Sequence, residues 1–261
     1  MRNQGVFFVT SIQRCFPIFV NMKKLFRLCI AVCAFLISGV ASLFAQGESD
    51  EAFTTVDSLY REDQVYIGLS LDLLMDAPQG FSQNGFSGGF QLGFIRDMPL
   101  NKRRNKSIGV GLGMAVDIFN QNLFIGEEPT GNTTIYTVLG SDIERDTNRF
   151  SYYTLEMPIE YRWRTSTAKD YSFWRVYGGV QLGYIYHFKG TFQQTANNVS
   201  QTDIPELNRL QYGLSFAFGY SAFNFKVYYG LNTLFNKDAV LETGENIELR
   251  ALRLGIQFYF L

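Results

Sequence analysis

Cysteine is confined to the start of this sequence. Cys15, Cys29 and Cys33 are its three cysteines, and every later residue is of another type. Once the N-terminus is removed, neither a disulfide nor a thiolate metal site can form. Histidine is scarcer still: His187 stands alone, which excludes a multi-histidine metal centre. Charge of one sign is lacking too. The net charge of −1 gives no global field toward nucleic acid or an acidic substrate. Beyond residue 46 no apolar run approaches the roughly 18 residues of a membrane helix. No phosphate loop, calcium loop or nucleotide fingerprint occurs, so no cofactor is expected.

Aromatics and glycine are plentiful: 25 Phe, 15 Tyr and 2 Trp beside 24 Gly. A membrane barrel uses both, aromatics as interface girdles and glycines to relieve crowding inside a narrow lumen.

Targeting comes first along the chain. Residues 22–45 read as a secretory signal peptide, with a basic stretch (Lys23, Lys24, Arg27), an apolar run from about Leu28 to Val40, and cleavage after Ala45. Leu43 stands where a small residue is usual. Residues 1–21 read as a start-codon overcall upstream of Met22, or as an extended basic region. Residues 46–63 are polar and acidic, a short flexible lead-in, and residues 64–261 form the main domain. A signal peptide without a membrane helix leaves a soluble exported protein or a barrel.

Period-2 alternation begins at Gln64 and recurs to the end. It predicts eight strands, at about 64–74, 85–98, 107–119, 150–164, 172–189, 210–220, 225–234 and 247–261. In the third, Ile108, Val110, Leu112, Met114, Val116 and Ile118 alternate with Gly109, Gly111, Gly113, Ala115 and Asp117. An apolar face opposite a glycine face fits lipid outside and a tight lumen inside; a soluble sandwich would present a polar outer face. The expected fold is an all-β transmembrane antiparallel up-and-down barrel. Shorter gaps follow the even strands and longer gaps the odd ones. This predicts periplasmic short turns, exterior long loops and both termini in the periplasm. Trp163, Trp174, Tyr220 and Phe225 then form a periplasmic aromatic girdle. Pro158 predicts a local bulge in the fourth strand. Phe258 and Phe260 in the aromatic final strand read as a signal for the barrel-insertion machinery.

The inward face is expected to carry Asp72, Asp117, Glu156, Glu160, Arg162, Arg164, Arg175, Lys226 and Arg253. Four acids against five bases largely pair, so an eight-stranded barrel is filled rather than open. His187, expected inward on the fifth strand with Ser215 across on the sixth, suggests a lipid-modifying pair, but no third positioning group is identifiable. A structural histidine is the better reading, and no enzyme activity is expected. Lys102-Arg103-Arg104 reads as a solvated basic turn. The glycosylation-type triplets Asn132-Thr133-Thr134 and Asn198-Val199-Ser200 carry no weight in this setting.

Several segments resemble the PorT (SprT) family. They are Gln83-Asn84-Gly85-Phe86-Ser87 leading to Gly93-Phe94-Ile95-Arg96-Asp97-Met98-Pro99, then Pro158-Ile159-Glu160-Tyr161-Arg162-Trp163-Arg164-Thr165-Ser166 with Phe173-Trp174-Arg175, then Leu210-Gln211-Tyr212-Gly213-Leu214 and Asn236-Lys237-Asp238-Ala239. The likeness spans about Leu59 to Leu261. It implies a non-enzymatic outer-membrane barrel required by the type IX secretion system, which exports proteases, adhesins and gliding proteins. It implies outer-membrane lipid and other secretion components as partners. A filled barrel then acts as an accessory or assembly factor rather than as the conduit. The alternative is a generic structural or ligand-binding small barrel.

Overall fold

The computed structural model describes residues 63–128, 133–140, 142–143, 145–165, 173–195 and 197–260. The expected signal peptide, nearly all of the lead-in, and Leu261 lie outside the described residues. The described residues form eleven strands: β1 (Gln64–Met75), β2 (Gly88–Pro99), β3 (Lys106–Asn120), β4 (Leu123–Glu127), β5 (Thr134–Val138), β6 (Thr147–Arg164), β7 (Trp174–Gln194), β8 (Asn197–Gln201), β9 (Leu210–Tyr220), β10 (Phe223–Gly230) and β11 (Arg250–Phe260).

Eight of them close a barrel. The order β6-β3-β2-β1-β11-β10-β9-β7 returns to β6 through the β6–β7 pairing, and every barrel pairing is antiparallel. Closure removes the free edges that an open sheet exposes. The other three strands lie in the connections: β4 and β5 form a hairpin between β3 and β6, and β8 pairs with an extension of β7.

Side-chain alternation sets the wall. Leu69, Leu71, Leu112, Met114, Leu214 and Phe216 are among the outward side chains about half exposed, while their neighbours Ser70, Ala115, Asp117 and Ser215 are buried inside. Water would not tolerate an apolar belt this continuous; hydrocarbon does. Inside, missing Cβ atoms make room for large side chains. A Cβ on Gly113 would run into the Tyr66 hydroxyl, and one on Gly109 would meet Arg162 Cδ.

Three expectations need correction. The alternation expects His187 inward, yet it is exposed and the next residue, Phe188, is buried. The cause is a bulge: Tyr153 opposes His187 while Thr154 opposes Ile185, so Tyr186 is an extra residue that inverts the later parity. Pro158 makes no bulge. Its pairing with Gln181 on β7 is regular, and the β3–β6 ladder skips two pairs beside it without changing register. The seventh barrel strand runs Phe223–Gly230 and the eighth begins at Arg250, because the residues between them leave the wall to cover one end.

That end is the one with long connections. The other carries the turns 100–105 and 221–222 and the ends of β6 and β7 that flank residues 166–172, together with the start of β1 and the end of β11.

Candidate functional site

The lumen is the first feature. All nine inward charges expected from the sequence are buried there, with Asp97 as a tenth, giving five acids against five bases. They sort into two tiers along the axis. Near the short-turn end, Asp97 sits between two arginines: Arg162 Nη1 lies 3.1 Å from its Oδ1 and Arg164 Nη2 lies 2.7 Å from its Oδ2. The Ser107 hydroxyl donates to the same carboxylate at 2.7 Å. Arg162 also donates to the Gln64 side-chain carbonyl and stacks 4.1 Å from the Tyr177 ring centroid. Glu160 Oε2 is 3.7 Å from Arg162 Nε. Arg175 donates to the Ser221 carbonyl and covers the Phe173 ring.

Near the long-loop end, Arg253 is the bridge. It reaches Asp117 at 2.9 Å and Glu156 at 2.6 Å, and Asp72 faces it directly across the β1–β11 pairing. Asp72 accepts from the Ser70 hydroxyl at 2.6 Å. Lys226 lies between the tiers, 5.5 Å from the Tyr66 ring centroid. Buried charges cost desolvation, which paired geometry offsets only where the partners meet this closely. A lumen cavity bordered by Gln91, Gln181, Lys226 and Arg253 measures about 10 Å³, room for about one water. Eight strands leave an interior just wide enough for the side chains that fill it, too narrow for a polypeptide.

Asp97 is absent from the inward charges expected from the sequence. The available signal was parity, since Gln91, Gly93, Ile95 and Asp97 share one face of β2.

A folded cap is the second feature, and sequence reasoning missed it. Phe119, Phe150 and Phe188 ring the inside of the barrel at the long-loop end, and Phe235 descends from the β10–β11 connection onto them. Its ring centroid lies 6.4 Å from Phe150 and 6.2 Å from Phe188. Leu123, Ile125 and Tyr136 from the β4–β5 hairpin, Ile204 and Leu207 from the connection to β9, and Leu241, Ile247 and Leu249 complete one apolar cluster. The Tyr136 hydroxyl donates to Glu206 at 3.1 Å; burial, then that carboxylate, raise its pKa above the usual phenol range, so it stays a donor.

The ends differ in charge. Described residues of the long connections include eleven carboxylates (Asp76, Glu127, Glu128, Asp142, Asp146, Asp203, Glu206, Asp238, Glu242, Glu245, Glu248) against Arg145, Arg209 and Lys237. Those of the short turns include Lys102, Arg103 and Arg104 and no acid.

The outer wall is the third feature. Trp163, Trp174, Tyr220 and Phe225 all point outward toward the short-turn end, and Trp174 pairs with Tyr220 at 5.5 Å between ring centroids. Phe258 and Phe260 share the outer face of β11, with Phe258 against Phe223. His187 is also outside, 5.5 Å from the Tyr153 ring, whereas Ser215 faces the lumen. The two stand on opposite faces of the wall, so the suggested Ser–His pair is not assembled. Among the described residues no group of three or more His, Cys, Asp or Glu is arranged to hold a metal ion.

Residues 44–236 match the sequence model of the outer membrane protein beta-barrel domain family, 193 of 261 positions (236 − 44 + 1). The chain belongs to this family. It is an outer-membrane protein built as an eight-stranded barrel. Among solved structures it is similar to Ail, the attachment invasion locus protein of Yersinia pestis. The form in complex with the heparin analogue sucrose octasulfate is 17% identical, with a TM-score of 0.36, covering 77% of this chain and 100% of that one. A second structure of Ail is 14% identical, with a TM-score of 0.32 and the same coverage. No curated protein is matched.

Proposed function

We propose that this outer-membrane barrel is a non-enzymatic accessory or assembly component of type IX secretion and not its conduit. The observation that carries the reading is a convergence. Three segments that resemble the PorT family are far apart in sequence: Ile95-Arg96-Asp97, Tyr161-Arg162-Trp163-Arg164 and Phe173-Trp174-Arg175. They meet at the short-turn end, where Asp97 clamps Arg162 and Arg164 and Arg175 stands on the neighbouring strand. The lumen supports an accessory role, since an eight-stranded barrel filled by side chains is too narrow for cargo.

In this reading the short turns and both termini face the periplasm, where the basic turn Lys102–Arg104 and the outward tryptophans meet other secretion components. Phe258 and Phe260 present the final strand to the insertion machinery. Deletion of the gene with complementation tests the proposal. Periplasmic accumulation of many secreted and surface proteins is the expected outcome; an unchanged secreted proteome sinks it.

A second reading, a generic ligand-binding barrel, is favoured by the folded acidic cap. It predicts cap-dependent surface binding with secretion intact.

A further inference from the structure

Beyond the secretion reading, and independent of it, the cap carries a strand edge, that of β5, on which no further strand is paired among the described residues. Leu139 N–H bonds to the Asn122 carbonyl at 2.8 Å and Glu128 N–H to the Thr133 carbonyl at 3.0 Å, both across the β4–β5 hairpin. In an antiparallel pair bonded residues alternate with unbonded ones, so the N–H and C=O groups of Tyr136 and Val138 point away from β4. The Tyr136 carbonyl is taken at one point by Glu242 N–H, 3.2 Å away. From there a groove of about 570 Å³ runs along the edge, with Tyr136, Val138 and Gly140 on one wall and Leu241, Glu242 and Glu245 on the other. That volume lies within the range of ordinary ligand sites. Gln79 N–H, held by the Glu245 carboxylate at 3.1 Å, closes the far side.

We propose that this groove takes an extended cationic peptide segment of a partner protein as an added strand on β5. Backbone groups of Val138 supply main-chain hydrogen bonds, the mode by which exposed sheet edges capture peptides. Exposed Glu242 and the carboxylate excess of the cap select lysine or arginine on the incoming strand. A polyanion meets the wrong sign of charge here.

The test uses the full chain purified in detergent micelles and fluorescence anisotropy with three labelled octapeptides. One alternates lysine with valine and threonine, the second replaces lysine by glutamate, and the third is the lysine peptide N-methylated at alternate amides. Binding of the first, with at least a tenfold loss for each of the others, is expected. Glu242→Lys should weaken it tenfold or more. Val138→Pro should do the same, because it removes an edge amide while leaving the β4 ladder intact. Heat-modifiable migration on gels checks that both variants keep the barrel. Equal binding of all three peptides, no binding, or binding unmoved by both folded variants overturns the proposal. So does self-association of the chain that the lysine peptide fails to compete.

Discussion

At the scale of single residues, the lumen is governed by what each buried charge has beside it. Arg253 is the cation that bridges Asp117 and Glu156 and faces Asp72. Arg253→Met should therefore cost about 3–5 kcal/mol, because it strands buried carboxylates rather than removing a neutral contact. Urea unfolding in lipid vesicles measures it, and adding Asp117→Asn to the variant should recover part of the loss. Gly113 is as restrictive for a steric reason. Gly113→Ala presses on the Tyr66 hydroxyl and should cost about 1–3 kcal/mol. Tyr66→Phe deletes the obstructing oxygen, so the double variant should be more stable than Gly113→Ala alone; equal stability would locate the strain elsewhere. Gly113 was legible as an inward residue from alternation, but its partner was not, since Tyr66 reaches it across β2.

At the scale of elements, strand existence and facing were legible wherever alternation was unbroken. Residues 210–220 are assigned identically by sequence and structure. The reading failed at a single inserted residue. Tyr186 has nothing in its local sequence to mark it as the extra member of a bulge, and one such residue turns every later side chain to the other face. A nitroxide on His187→Cys should be open to collision with dissolved oxygen from outside the wall, whereas one on Phe188→Cys should be shielded. The reverse order in power-saturation EPR would mean that the strand runs without a bulge. Every residue after Cys33 is of another type, so a chain without residues 1–45 is a cysteine-free background for this labelling. Pro158 illustrates the opposite error. A proline in a strand suggested a distortion, but a ladder can lose its bonds on one side and keep its count.

At the scale of the whole molecule, the barrel is sealed twice, by the ion network along its axis and by the apolar cap at one mouth. Phe235→Ala should destabilise the cap by about 3–5 kcal/mol, read as faster amide hydrogen exchange in residues 231–249. The same variant should give no added conductance in planar bilayers, because the ion network remains below it. A nanosiemens conductance would refute a lumen closed by the charges. Among the described residues the short turns carry an excess of positive charge and the long connections an excess of negative charge, so a polycation should be drawn to the long-connection end in a salt-dependent way.

The sequence by itself determined the class of structure. A period of two, an apolar face opposite a small or charged face, and a nearly balanced set of inward charges point to an eight-stranded membrane barrel and favour a filled lumen over an open pore. These are local properties, set by which side of a pleat each residue occupies. Tertiary structure alone decided which arginine meets which carboxylate, and that the long connections fold into a cap. Those contacts join residues far apart in the chain, as with Phe150 and Phe235 or Glu156 and Arg253. No period links such residues. Their meeting follows from closure of the wall and from the need of scattered apolar side chains to leave water together.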